Sequence, residues 1–137
     1  MRAVLDPNVI ISAALSRGGT PASVFRLWSE GAYELVCSAK LLEELKQALN
    51  YPKLARRIRP EEAAQLIDLL AEEASVHVDP SQAPTVLSSD ANDNYLIALA
   101  ENTRSVLVSG DRDLLELADR IPVYSPASFL NLLLPDA

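Results

Sequence analysis

The chain has 137 residues, 49% of them hydrophobic, which is enough to bury one core and argues against disorder. No uninterrupted apolar run approaches the roughly 18 residues that span a bilayer, and Asp6 and Pro7 break the N-terminal apolar segment where a signal peptide needs continuity, so a cytoplasmic protein without a membrane segment is expected. A net charge of −7 excludes simple electrostatic adhesion to nucleic acid, so a nucleic-acid role would need cations, and the single cysteine, Cys37, excludes an intrachain disulfide and a cysteine-based zinc cluster.

Arg2 to Leu5 reads as a first strand, ended by Asp6 in LDPNVII. Asp6 is either a cap or turn residue before a helix over Val9 to Leu15, or a candidate site residue by position, and Asn8 fits both readings. Gly18 and Gly19 read as loop. Thr20 as N-cap with Pro21 at the first helical position opens a second helix, which Gly31 closes. Tyr33 to Cys37 is the second strand, with Cys37 buried. In SAKLLEELKQAL the apolar stripe Leu41, Leu42, Leu45, Ala48 and Leu49 separates the two glutamates. Glu43 points away beside Lys40, Lys46 and Gln47. Glu44 lies at the stripe's edge, where a carboxylate can reach toward the end of a sheet.

YPKLARRIRP gathers Lys53, Arg56, Arg57 and Arg59 into a basic strip, read either as a solvated loop or as a guide for a phosphate backbone together with Arg112. Pro60 opens a helix over Glu61 to Ala74, with a stripe of Ala63, Leu66, Ile67, Leu70 and Ala74. Ser75 to Val78 is the third strand and holds the only histidine, His77, as a structural residue. Asp79 to Ser89 is the longest loop. In SSDANDNYLIALA, Asp93 shares a helical face with Leu96, Ile97 and Ala100, and a carboxylate on a core stripe calls for a partner. Asp90 as N-cap and Asp93 in the first turn is the competing explanation, and Asn94 can add a hydrogen bond at the same rim. The fourth strand, Ser105 to Ser109, runs into Gly110, Asp111, Arg112 and Asp113, where capping and site roles again compete. Ile121 to Tyr124 is the fifth strand, and Ser125 with Pro126 starts a last helix through Phe129 to Leu134.

Strands alternating with helices imply a single α/β domain over residues 1–137, with a mostly parallel sheet covered on both faces. Ligands gather at the carboxyl ends of such strands. Asp6, Glu44, Asp93 and Asp111 all project toward that edge. Four neighbouring carboxylates repel unless one takes up a proton or a hard divalent ion such as Mg²⁺ or Mn²⁺ joins them. Carboxylate-held ions of this kind cleave phosphodiesters without a histidine base, and no glycine-rich phosphate loop or nucleophile motif competes.

The segments LDPNVIISAAL, SAKLLEEL, DANDNYLIALA, VSGDRDLLEL and IPVYSPASFL resemble the PIN-domain ribonucleases, within them the toxin components of toxin–antitoxin systems, akin to VapC-type toxins. The resemblance runs along nearly the whole chain. It implies a three-layer α/β/α fold with a five-stranded parallel sheet in order 3-2-1-4-5, metal-dependent cleavage of RNA, a homodimer, and an antitoxin partner whose arginine or lysine could enter the acidic pocket. Carried onto this chain, it makes Asp6, Glu44, Asp93 and Asp111 the catalytic acids, with Asp6, Asp93 and Asp111 on metal. Asn8, Asp90, Ser109 and Asp113 become supporting residues.

Two positions depart from the family pattern. Pro7 stands where a threonine or serine is usual, and ENTRSV lacks the usual glycine before the fourth strand. The alternatives are a PIN-fold scaffold that binds RNA or protein without cutting and, more distantly, a receiver-like phospho-acceptor domain, whose lysine after the fifth strand is missing here. A phosphatase with Asp-x-Asp after its first strand is weakened by Asn8 in the second acid's place.

Overall fold

The structure, a computed structural model, describes residues 1–134. Five strands, β1 (Arg2–Leu5), β2 (Glu34–Ser38), β3 (Ser75–His77), β4 (Val106–Val108) and β5 (Val123–Tyr124), pair in parallel in the order β3-β2-β1-β4-β5. Between them lie α1 (Pro7–Leu15), α2 (Thr20–Ser29), α3 (Ala39–Leu49), α4 (Pro52–Ala55), α5 (Pro60–Glu73), α6 (Asn94–Thr103), α7 (Arg112–Leu115) and α8 (Pro126–Leu133). A 3-10 turn over Ala91–Asp93 precedes α6. This is the expected three-layer α/β/α sandwich.

The central strand shows why the sheet is parallel and covered on both faces. Ala3, Val4 and Leu5 are all fully buried, because β1 has β2 and β4 as neighbours and helices above and below. Outside the sheet, Tyr33 stacks edge-on against Phe129 with ring centroids 5.0 Å apart and donates its hydroxyl to the Val24 carbonyl at 2.8 Å, tying α8 and α2 to the start of β2. Burial raises the Tyr33 phenol and pushes the Cys37 thiol up to about 12, so Cys37 is an inert core residue. Among the described residues no helix is long and apolar enough to cross a membrane.

Several boundaries differ from the sequence reading. Each of the last four strands is shifted or trimmed at its ends, because pairing ends before apolar character does: Val78, expected in β3, is 88% exposed beyond the edge strand. The second helix begins at Thr20 itself, with Gly19 rather than Thr20 at the cap position. The first helix begins at Pro7, earlier than Val9, with Asp6 as its cap. Asp93 belongs to the 3-10 turn and stands at the cap position of α6 instead of inside an α-helix.

Both departures from the family pattern have a local structural account. Pro7 sits at the first position of α1, where no backbone N–H is needed and proline's fixed φ suits the helix. Arg104, in the segment lacking the usual glycine, caps α6 at φ 54°, ψ 47°, a left-handed conformation that glycine adopts without cost.

Candidate metal centre

Sheet register builds the floor of the site. Leu5 pairs with Val108, and the Asp6 N–H continues the ladder to the Val108 carbonyl at 2.9 Å, so the next residues outward, Asp6 and Ser109, face each other. The Ser109 hydroxyl, fully buried, donates to Asp6 Oδ2 at 2.7 Å and accepts from the Asp111 N–H at 3.0 Å. Asp6 Oδ1 accepts from the Asn8 N–H at 3.0 Å. Burial raises the Asp6 pKa, the Asn8 and Ser109 donors pull it back, and the charge of Asp111 adds to the rise.

Three aspartates repeat one capping geometry. Asp6, Asp90 and Asp111 each offer Oδ1 to the N–H two residues on, those of Asn8, Asn92 and Asp113, at 3.0, 3.0 and 2.9 Å. Capping and site readings therefore coexist: the cap uses one oxygen and fixes the direction of the other. Asp93 differs. It makes no capping bond, and its Oδ2 is buried without a hydrogen-bond partner among the described residues.

Asp90, Asp93, Asp111 and Asp113 converge, with one carboxylate oxygen from each lying within 4.8 Å of the others. Their mutual repulsion is visible at Asp93, whose pKa rises to about 7 through burial and then the charges of Asp111, Asp90 and Asp6, with Asp111 close enough to share a proton. Oxygen donors without nitrogen or sulfur suit Mg²⁺ or Mn²⁺. Ser88 closes this side. Its N–H donates to the Asn94 side chain at 2.8 Å, and its hydroxyl accepts from Asp90 N–H at 3.1 Å, which fixes the end of the long loop. A cavity of about 390 Å³ opens beside Asp111, lined by Asn8, Val9, Ser12, Pro21, Gly110 and Pro126.

Not every predicted acid joins this group. Asp6 lies outside the four-aspartate set but is coupled to it through Asp93 and Asp111. Glu44 is exposed on α3 and is held by the Tyr95 hydroxyl. Glu43 is solvated as expected, accepting from Gln47 one turn on at 3.3 Å. The basic strip is exposed at Lys53, Arg56, Arg57 and Arg59, with Arg59 paired to Glu62 at 2.7 Å, and Arg112 is exposed at the first position of α7. His77 is structural in surroundings, its ring nitrogen 3.0 Å from the Ser75 hydroxyl.

Sequence reasoning passed over Tyr95, Lys40 and Asp79. Asp79 follows β3 much as Asp6 follows β1, and it accepts from the Lys40 N–H at 2.9 Å, capping α3 from outside. The rule that strand carboxyl ends collect polar groups could have found it.

Comparison with known proteins fits this architecture. An uncharacterized protein of Methanocaldococcus jannaschii is 29% identical over 119 residues, 87% of this chain and 76% of that protein. A chain in the crystal structure of VapBC2 from Rickettsia felis, bound to a DNA fragment from their promoter, superposes with a TM-score of 0.61 at 14% identity, covering 91% of this chain and 98% of that one. PAE2754 from Pyrobaculum aerophilum superposes with a TM-score of 0.58 at 18% identity, covering 98% and 90%. Such distant structural likeness speaks for the fold. The PIN domain family model matches residues 2–113, most of the chain. The chain belongs to the PIN domain family.

Proposed function

We propose that this PIN domain is a Mg²⁺- or Mn²⁺-dependent endoribonuclease, the toxin component of a toxin–antitoxin pair, acting in the cytoplasm as a homodimer with an antitoxin protein as partner. The observation that carries the reading is the convergence of Asp90, Asp93, Asp111 and Asp113, together with a buried Asp93 oxygen that has no partner among the described residues. A cluster held only by its own caps would gain nothing from a carboxylate that repels its neighbours, whereas a cation turns the same repulsion into binding.

Asp93 and Asp111 would hold the cation with Asp6, and Asp90 and Asp113 would support them from the rim. When bound, such a cation polarises a phosphoryl oxygen and lowers the pKa of water. The chain's own part is positional. Ser109 donates to one oxygen of the buried Asp6 and the Asn8 N–H to the other, which fixes the carboxylate and offsets part of the rise in pKa that burial imposes. The cap bonds fix Asp90 and Asp111, and Glu44 adds a carboxylate beyond Tyr95. The cavity beside Asp111 gives room for a nucleotide, and the exposed cations Lys53, Arg56, Arg57, Arg59 and Arg112 offer contacts for a phosphate backbone that the net charge of −7 otherwise repels. Likeness to a chain of VapBC2, a pair by its name, supports the antitoxin partner.

The test is cleavage of single-stranded and structured RNAs with Mn²⁺, Mg²⁺ or EDTA, running Asp6→Asn and Asp93→Asn beside the parent. Metal-dependent cutting that both variants lose by about 100-fold or more is expected. A folded, Mn²⁺-binding parent that cuts none of them would favour the scaffold alternative.

A further inference from the structure

Glu44 lies on α3, in the crossover from β2 to β3, whereas the four aspartates follow β3 and β4, and Tyr95 is close in sequence to one of them and hydrogen-bonded to Glu44. Tyr95 stands in the first turn of α6, two residues after Asp93, and its hydroxyl donates to Glu44 Oε2 across a separation of 51 residues. The ring has a second occupant: Lys40 Nζ lies 4.8 Å from its centroid, on the aromatic face.

Lys40 and Glu44 are four residues apart on α3, a spacing at which a lysine and a glutamate commonly pair on a helix. They do not pair with one another among the described residues. The Lys40 ammonium rests instead on the Tyr95 ring, while the hydroxyl of that same ring takes the carboxylate. A hydroxyl steers a carboxylate without cancelling its charge; an ammonium does both.

We propose that Tyr95 is a positioning residue for Glu44, holding the carboxylate with its hydroxyl and keeping Lys40 from neutralising it, so that Glu44 contributes its charge to cation binding at the aspartate group. This rests on the reading of that group as a cation site. The first turn of α6, directly after the 3-10 turn that supplies Asp93, thereby also orders a glutamate from α3.

The experiment is a double-mutant cycle on the whole chain, with Tyr95→Phe, Glu44→Gln and both together, read by Mn²⁺ binding from the free-ion electron paramagnetic resonance signal. Tyr95→Phe keeps the ring and its packing, so the fold should survive, and circular dichroism checks this. Each single variant is expected to weaken Mn²⁺ binding by about tenfold, with the double variant no weaker than Glu44→Gln alone. Tyr95→Ala, which frees Lys40, is expected to lose more than Tyr95→Phe, and adding Lys40→Met should recover part of that difference. Parental affinity in Tyr95→Phe, or losses that simply multiply, would overturn the role while leaving the cation site standing if Asp93→Asn still weakens binding. A parent that binds no Mn²⁺ would overturn both.

Discussion

At the scale of single residues, three acids of this site do two things at once. Asp6, Asp90 and Asp111 cap backbone with one oxygen, so their positions are supported by the fold even in the absence of a ligand. Asp93 has no such compensation, and its charge is the costly one. Folded, it keeps its proton up to about pH 7, against 3.8 as the ordinary value. A raised pKa means that protonation favours the folded state: the contribution is full below about pH 4 and is lost as pH rises through about 7. Asp93→Asn removes the penalty. In EDTA the variant should be more stable than the parent at pH 7.5, by about 1 kcal/mol once screening at this half-buried group is allowed for, and the two should converge near pH 4. Thermal unfolding at both pH values measures this, and a variant less stable than the parent at pH 7.5 contradicts it.

Arg104 is the second residue whose cost is local. A non-glycine residue at φ 54° is strained by its own Cβ, so Arg104→Gly should stabilise the chain by about 0.5–1 kcal/mol, net of glycine's greater freedom when unfolded. Urea denaturation gives the answer, and a loss of stability would mean that the arginine side chain contributes more than its backbone conformation costs.

At the scale of elements, the helices that carry most of the site were legible because their signals are local. Prolines at first helical positions, Gly31 at φ 84° after α2 and the Leu41-Leu45-Leu49 stripe are read within a few residues. Aspartates at strand ends were equally visible. Strand limits were not, since a strand ends where its neighbour does, and β3 and β5 have a partner on one side only. Glu44 shows the same divide. Its helical wheel located it at the stripe's edge, but its partner Tyr95 lies 51 residues away, and nothing in either segment alone announces the contact. The short helix α4 and the turn after it hold Lys53, Arg56, Arg57 and Arg59 around a single buried anchor, Ile58. Substituting the three arginines by alanine should weaken RNA binding and reduce the dependence of log K on log salt by about two to three. Unchanged affinity and slope, measured by fluorescence anisotropy from low to high salt, would remove this strip from the RNA path.

At the scale of the molecule, strand order makes the site. With β1 and β4 adjacent at the centre, Asp6, Ser109 and Asp111 meet although 103 residues separate the first two. The loop after β3 then returns through Ser88 to deliver Asp90 and Asp93 to the same rim. A polar cluster at the end of a fully buried strand survives because the sheet, helix caps and Ser109 fix it from several directions. What none of these supplies is a partner for the buried Asp93 oxygen. We assign that place to a divalent cation, and the most direct measurement is Mn²⁺ titration of the metal-free chain and of Asp93→Asn. The parent should bind Mn²⁺ and the variant should bind about tenfold or more weakly while remaining folded. A parent that binds no cation, or a variant that binds as well as the parent, would mean that no cation sits at Asp93.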